Sequence, residues 1–147
     1  MQDYHDLLVW QKAHALALRV DTLAELLVRR NRANLASQMR RASMSISSNI
    51  AEGCSRSSPR EFARFLQIAI ASSTEVQYQA EFVVDARILP PNETERLSEH
   101  VVEVRRMLYG LLKRLRASPD FTDSKPPTQT ANKKLSTRRD SKPSTQY

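Results

Sequence analysis

Glycine is nearly missing from this chain: Gly53 and Gly110 are the only two in 147 residues. No glycine-rich loop is therefore present to cradle a phosphate, which removes the usual nucleotide-hydrolysing architectures. The single cysteine, Cys54, rules out an intrachain disulfide and suits a reducing compartment. With no His or second Cys near it in sequence, it reads as a small structural residue close to a helix end, not as a nucleophile or ligand. No uninterrupted apolar run approaches the roughly 20 residues that cross a bilayer. The N-terminal MQDYHDLLVWQKAHALAL has acids where a secretory signal is cationic, and no small-residue cleavage site. These absences predict a cytoplasmic protein. His5, His14 and His100 lack metal-ligand spacing, and no Glu-x-x-His pair of the kind that builds a metal centre inside a bundle is present. A non-enzymatic protein is expected, with no catalytic residues, no metal ligands and no cofactor.

Up to Ala117 the only prolines are Pro59, Pro90 and Pro91, so this unit has few places to turn and long helices are the consequence. Four segments carry apolar residues at alternating spacings of four and three, which keeps one stripe of a helix facing its partners. The first runs Val9, Ala13, Leu16, Val20, Leu23, Leu27. The second runs Leu35, Met39, Ala42, Ile46, Ile50, the third Phe62, Leu66, Ala69, Ser73, Val76, Ala80, Val83, and the fourth Leu97, Val101, Val104, Leu108, Leu111, Leu115.

Punctuation agrees with the stripes. Arg29 to Asn34 is a polar connection, and Gly53 is suited to the left-handed conformation that ends a helix. Ser58, Pro59 and Glu61 read as an N-cap, a first-turn proline and a capping-box partner. Pro90 and Pro91 stop the third helix, after which Asn92 or Thr94 is positioned to cap the fourth. Short connections make successive helices antiparallel neighbours. The predicted fold is all-α, an antiparallel up-down-up-down four-helix bundle over residues 1–117. Residues 118–147 are poor in apolar side chains and rich in Pro, Ser, Thr, Lys and Gln, so they cannot bury enough surface to offset chain entropy. A disordered basic tail is expected there.

Charge is unevenly placed. Residues 1–117 hold 17 Lys+Arg against 13 Asp+Glu, and only Lys12 and Lys113 of those cations are lysines. Arginine presents a planar fork of donors suited to phosphate, and it stacks on bases. Residues 29–64 hold eight arginines against Glu52 and Glu61, whereas residues 65–100 hold Arg87 and Arg96 against six acids. Such segregation is the footprint of nucleic-acid binding. The candidate contacts are Arg40 and Arg41 on the second helix with Arg56, Arg60 and Arg64 entering the third, and Arg29, Arg30 and Arg32 join them if the connections cluster. Apolar residues off the stripes add a second expectation. Phe65, Ile68, Ile70, Tyr78, Phe82 and Val84 on the third helix, and Leu7, Leu8, Trp10 and Leu18 on the first, make a surface broad enough to be covered in a homo-oligomer.

The motifs YHDLLVWQKAH at Tyr4–His14, SQMRRA at Ser37–Ala42, SNIAEG at Ser48–Gly53, EFARFL at Glu61–Leu66 and MLYGLL at Met107–Leu112 carry a family resemblance. In order and spacing they are similar to the four-helix-bundle family encoded in intervening sequences of bacterial large-subunit ribosomal RNA genes. The resemblance covers residues 4 to about 116. It implies a homopentamer with a basic surface and no known catalytic activity. A related branch is the accessory variability determinant of diversity-generating retroelements, which resembles this fold and binds a reverse transcriptase and its template RNA. Both branches imply RNA as partner, with a protein-interaction scaffold or reverse transcriptase accessory protein as the alternative function. The chain departs from the pattern at Ser47, where the family commonly has proline, and at Cys54-Ser55-Arg56, where a glycine is common.

Overall fold

The computed structural model describes residues 2–121, so the segment read as a tail lies outside the described residues from 122 onward. After a 3-10 turn at Tyr4–Asp6 come four helices: α1 (Leu8–Arg29), α2 (Ala33–Cys54), α3 (Pro59–Asp85) and α4 (Pro91–Arg116). Another 3-10 turn at Pro119–Phe121 follows α4 and packs Phe121 against the core. Each helix touches its neighbour in sequence, and α1 meets α4 along a sparser seam that closes the bundle. Among the described residues no helix is long and apolar enough to cross a membrane.

The periodic stripes are what the helices bury. Leu16, Leu27, Met39, Ile46, Ile50, Leu66, Leu97 and Leu108 are among the largest fully buried side chains. Removing that apolar area from water is the main favourable term in the fold. Ser43 and Ser73 are also fully buried, and each hydroxyl donates to a carbonyl of its own helix, Arg40 O at 3.1 Å and Ile70 O at 2.6 Å. Their small size lets helices approach closely without leaving an unsatisfied polar group. Ile70, expected among the surplus apolar residues of α3, is buried instead, on the side of the helix that carries Ala63 and Ser73.

Polar ties mark all four seams. Arg40 of α2 donates to Asp21 and Glu25 of α1. Ser45 of α2 and Ser72 of α3 share a hydrogen bond of 2.9 Å. Arg105 of α4 donates to Gln77 of α3, and Lys12 of α1 pairs with Glu103 of α4 at 3.0 Å. Half-exposed pairs contribute little stability individually, but geometric matching of this kind favours one register over its neighbours.

The helix ends differ from expectation in three places. Gly53 does not end α2 in a left-handed conformation; it lies inside the helix, which runs on to Cys54 and a right-handed cap at Ser55. Its lack of a side chain serves close packing instead. A Cβ there would overlap Phe62 Cδ2 and stand 2.7 Å from Phe62 Cε2 and 3.2 Å from Phe65 Cβ. Neither Asn92 nor Thr94 caps α4: the helix begins at Pro91 after an extended Pro90, and the buried Thr94 hydroxyl donates to Pro91 O at 3.1 Å. The α1–α2 connection is also tighter than Arg29 to Asn34, because helix already resumes at Ala33. By contrast, Ser58 Oγ accepts from the Glu61 amide at 3.2 Å with Pro59 in the first turn of α3, as the capping-box spacing predicts.

With so little glycine, the left-handed positions fall to other residues. Asn31 (φ 60°) and Arg87 (φ 55°) follow α1 and α3, each in a Schellman arrangement: Arg32 N donates to Leu27 O at 2.9 Å and Ile88 N to Val83 O at 3.0 Å. Asparagine tolerates this region, whereas arginine incurs a Cβ–carbonyl clash of about 1–2 kcal/mol. Arg87→Gly relieves that clash while making the unfolded chain more flexible. It is expected to stabilise the protein by about 0.5–1 kcal/mol in urea unfolding, and a loss of stability would contradict this account.

Candidate nucleic-acid interface

Antiparallel packing sorts the eight candidate arginines by level along the bundle. Arg29, Arg30 and Arg32 flank the α1–α2 connection at one end, while Arg56, Arg60 and Arg64 flank the α2–α3 connection at the other. The 22 residues of α2 between them span about 33 Å at 1.5 Å per residue. The connections therefore do not cluster, and the eight side chains do not form one patch. Arg40 and Arg41 stand between the two ends, on the half of α2 nearer the α1–α2 connection.

Their freedom differs as much as their position. Arg40 is only 30% exposed and is held by Asp21 and Glu25; the hydrogen bond to Asp21 raises its pKa above the ordinary arginine value. Arg30 donates to Ile88 O at 3.3 Å, tying the two turns at that end together. Arg56 pairs with Glu52 and lies 4.8 Å from the centre of the Phe65 ring, a cation–π arrangement that helps seat the α2–α3 corner. Arg29, Arg32, Arg41, Arg60 and Arg64 are exposed. Asn49 donates within α2, to Ser45 O at 2.7 Å.

The end that holds Arg56, Arg60 and Arg64 also receives the last turn of α4, with its exposed Lys113, Arg114 and Arg116. These were not among the sequence candidates. The signal for them is an acid-free run: from Val104 to Pro119 the chain holds five cations, Arg105, Arg106, Lys113, Arg114 and Arg116, and no Asp or Glu. At the C-terminus of a helix such cations also complement the macrodipole. Among the described residues no carboxylate pairs with Arg64, Arg106, Lys113, Arg114 or Arg116, whereas Arg56 at the same end is held by Glu52. Chemically, this end offers guanidinium and ammonium donors in water, suited to phosphate oxygens.

The remaining titratable groups have structural surroundings. Cys54 is buried at the end of α2, and that burial, with Asp3 adding to it, pushes its thiol pKa up, away from thiolate chemistry. His100 Nε2 donates to Lys12 O at 3.0 Å across the α1–α4 seam, while burial and the charge of Arg19 lower its pKa. His14 is stacked on Trp10 (centroids 5.0 Å apart), and Tyr4 and His5 close around the same indole. No group of three or more potential metal-ligating side chains occurs among the described residues.

A fold of this kind has a solved counterpart. A protein of unknown function from the S23 ribosomal protein family of Bacteroides thetaiotaomicron VPI-5482 superposes with a TM-score of 0.69 at 24% identity, covering 72% of this chain and 99% of that one. At that identity the likeness speaks for the fold alone. No curated protein matches the chain. The family model of the 23S rRNA-intervening sequence proteins matches residues 5–110, which takes in all of α1, α2 and α3 and most of α4. The chain belongs to the 23S rRNA-intervening sequence protein family.

Proposed function

We propose that this protein is a non-enzymatic, homo-oligomeric RNA-binding bundle that holds structured RNA through arginine-rich surface at the α2–α3 end. One observation carries the reading: Arg56, Arg60 and Arg64 meet Lys113, Arg114 and Arg116 at one end, although the two sets are far apart in sequence. Phosphate contacts need no deep pocket, only cations that water and counterions can leave. Repetition of the surface around an oligomer multiplies weak contacts through effective concentration. Oligomerisation itself is supported by large apolar side chains left in water, including Leu18 (58% exposed) and Met44 on the α1–α2 side and Tyr78 (64% exposed) and Phe82 on α3. The family resemblance favours a pentamer.

The test is binding of a folded ribosomal RNA fragment by the purified full-length chain across a salt series. Affinity is expected to fall steeply with salt, and Arg64→Gln with Arg116→Gln to flatten the log–log slope by about 0.7–0.9 for each phosphate that is no longer neutralised. Arg40 is left intact in this design because its removal would also break the tie between α1 and α2. Salt-independent binding, or an unchanged slope in the double variant, would sink the proposal. If the purified chain binds no RNA, the alternative of an accessory subunit for a retroelement reverse transcriptase takes its place, tested by co-purification with that enzyme.

A further inference from the structure

Two adjacent residues near the end of α4, Tyr109 and Gly110, are left exposed by the packing of the described residues. Tyr109 is 54% exposed, and its ring is in none of the aromatic contacts found among the described residues. Gly110, in the interior of a helix where glycine costs about 1 kcal/mol relative to alanine, is exposed, and a Cβ built on it meets nothing within 4 Å. Its φ is not positive either, so neither packing nor backbone conformation calls for a glycine. Gly53 makes the comparison plain: there the missing Cβ is occupied space, and here it is open water.

The surroundings give this bare patch a charge. On a helix the neighbours of Gly110 at three and four residues are Arg106, Met107, Lys113 and Arg114, while those of Tyr109 are Arg105, Arg106, Leu112 and Lys113. A strip of uncovered backbone is thus bordered by an aromatic ring on one side and by cations before and after it, within a stretch that has no carboxylate. A second copy presenting the same strip would be repelled by it. A ligand that brings negative charge and a flat π-face together satisfies both kinds of neighbour.

We propose that Tyr109 and Gly110 form a seat for an unpaired nucleotide of RNA: the base stacks on the Tyr109 ring, the sugar-phosphate lies against the bare helix at Gly110, and Arg106, Lys113 and Arg114 take the flanking phosphates. The proposal rests on the RNA-binding reading above and adds to it a site and a preference for single-stranded segments. Base stacking on an aromatic side chain is sequence-tolerant, because every base has a π-face.

The experiment measures binding of a fluorescein-labelled oligoadenylate and of a blunt RNA duplex of equal length to the full-length chain and its variants. Tyr109→Leu is expected to weaken oligoadenylate binding about tenfold or more, the loss of one stacked base, and to leave duplex binding unchanged. Tyr109→Phe keeps the ring and is expected to bind as the wild type does. Gly110→Ala is expected to raise the melting temperature while weakening oligoadenylate binding, a split that a purely structural glycine would not produce. If the wild type binds RNA with steep salt dependence but Tyr109→Leu and Gly110→Ala bind equally well, the seat is wrong and the broader function stands. If the wild type binds no RNA, both fall. If Gly110→Ala changes the sedimentation of the protein and not its RNA affinity, the strip belongs to a contact between copies, which also overturns the proposal.

Discussion

Gly53→Ala is expected to destabilise this protein by about 1–2 kcal/mol, although alanine is the better helix former by about 1 kcal/mol. The sign follows from space. The added methyl would overlap the Phe62 ring and press on Phe65 Cβ, at a corner where α2 and α3 are joined by only a few residues. Overpacking of this kind costs about 1–3 kcal/mol, because neither helix can withdraw without opening the buried contacts further along it. Phe62 is the yielding partner, so Phe62→Leu in the Gly53→Ala background is expected to recover much of the loss; the two substitutions are coupled and not additive. Urea unfolding of the four proteins at one fixed concentration measures the cycle. Stabilisation by Gly53→Ala alone would mean that the corner has slack absent from the structure.

Leu66→Ala is expected to cost more, about 2–5 kcal/mol, while Ile68→Ala, two residues along the same helix, stays within about 0.5 kcal/mol. Leu66 is fully buried, whereas Ile68 is 48% exposed. Truncating Leu66 removes transferred apolar surface and leaves a cavity among side chains from neighbouring helices that cannot collapse freely. Ile68 leaves no cavity in the isolated bundle. A cost above about 1 kcal/mol for Ile68→Ala that grows with protein concentration would indicate that an oligomer contact covers it, which makes the pair a probe of assembly as well as of packing.

Helix number, order and buried faces were legible from residue pattern, because a stripe repeating every three or four residues has only one way to leave water. Leu16, Ile46, Leu66 and Leu108 could be placed in the core with no knowledge of their partners. The N-cap at Ser58 was equally legible, since its hydrogen bond from the Glu61 amide closes within four residues. Gly53 was not. Its spacing near a helix end suggested a turn, and only the position of Phe62, nine residues later and on another helix, shows that it serves close approach.

The candidate interface divides in the same way. The bias toward arginine and the acid-free run from Val104 to Pro119 belong to the sequence. Which arginines stand together does not. Proximity along the chain suggested grouping Arg29, Arg30 and Arg32 with Arg56, Arg60 and Arg64, yet antiparallel packing sends them to opposite ends of α2 and brings Lys113, Arg114 and Arg116 to the latter group instead. Nor could charge pattern alone reveal that Arg40 is occupied by Asp21 and Glu25 while Arg64 has no carboxylate partner among the described residues. The order of residues is enough for the helices, their buried stripes and the family, because those depend on local periodicity and short-range hydrogen bonds. Packing of the four helices settles which glycine is filled and which is bare, and which cations are held by carboxylates of neighbouring helices. Both depend on the distance between residues that the chain keeps far apart.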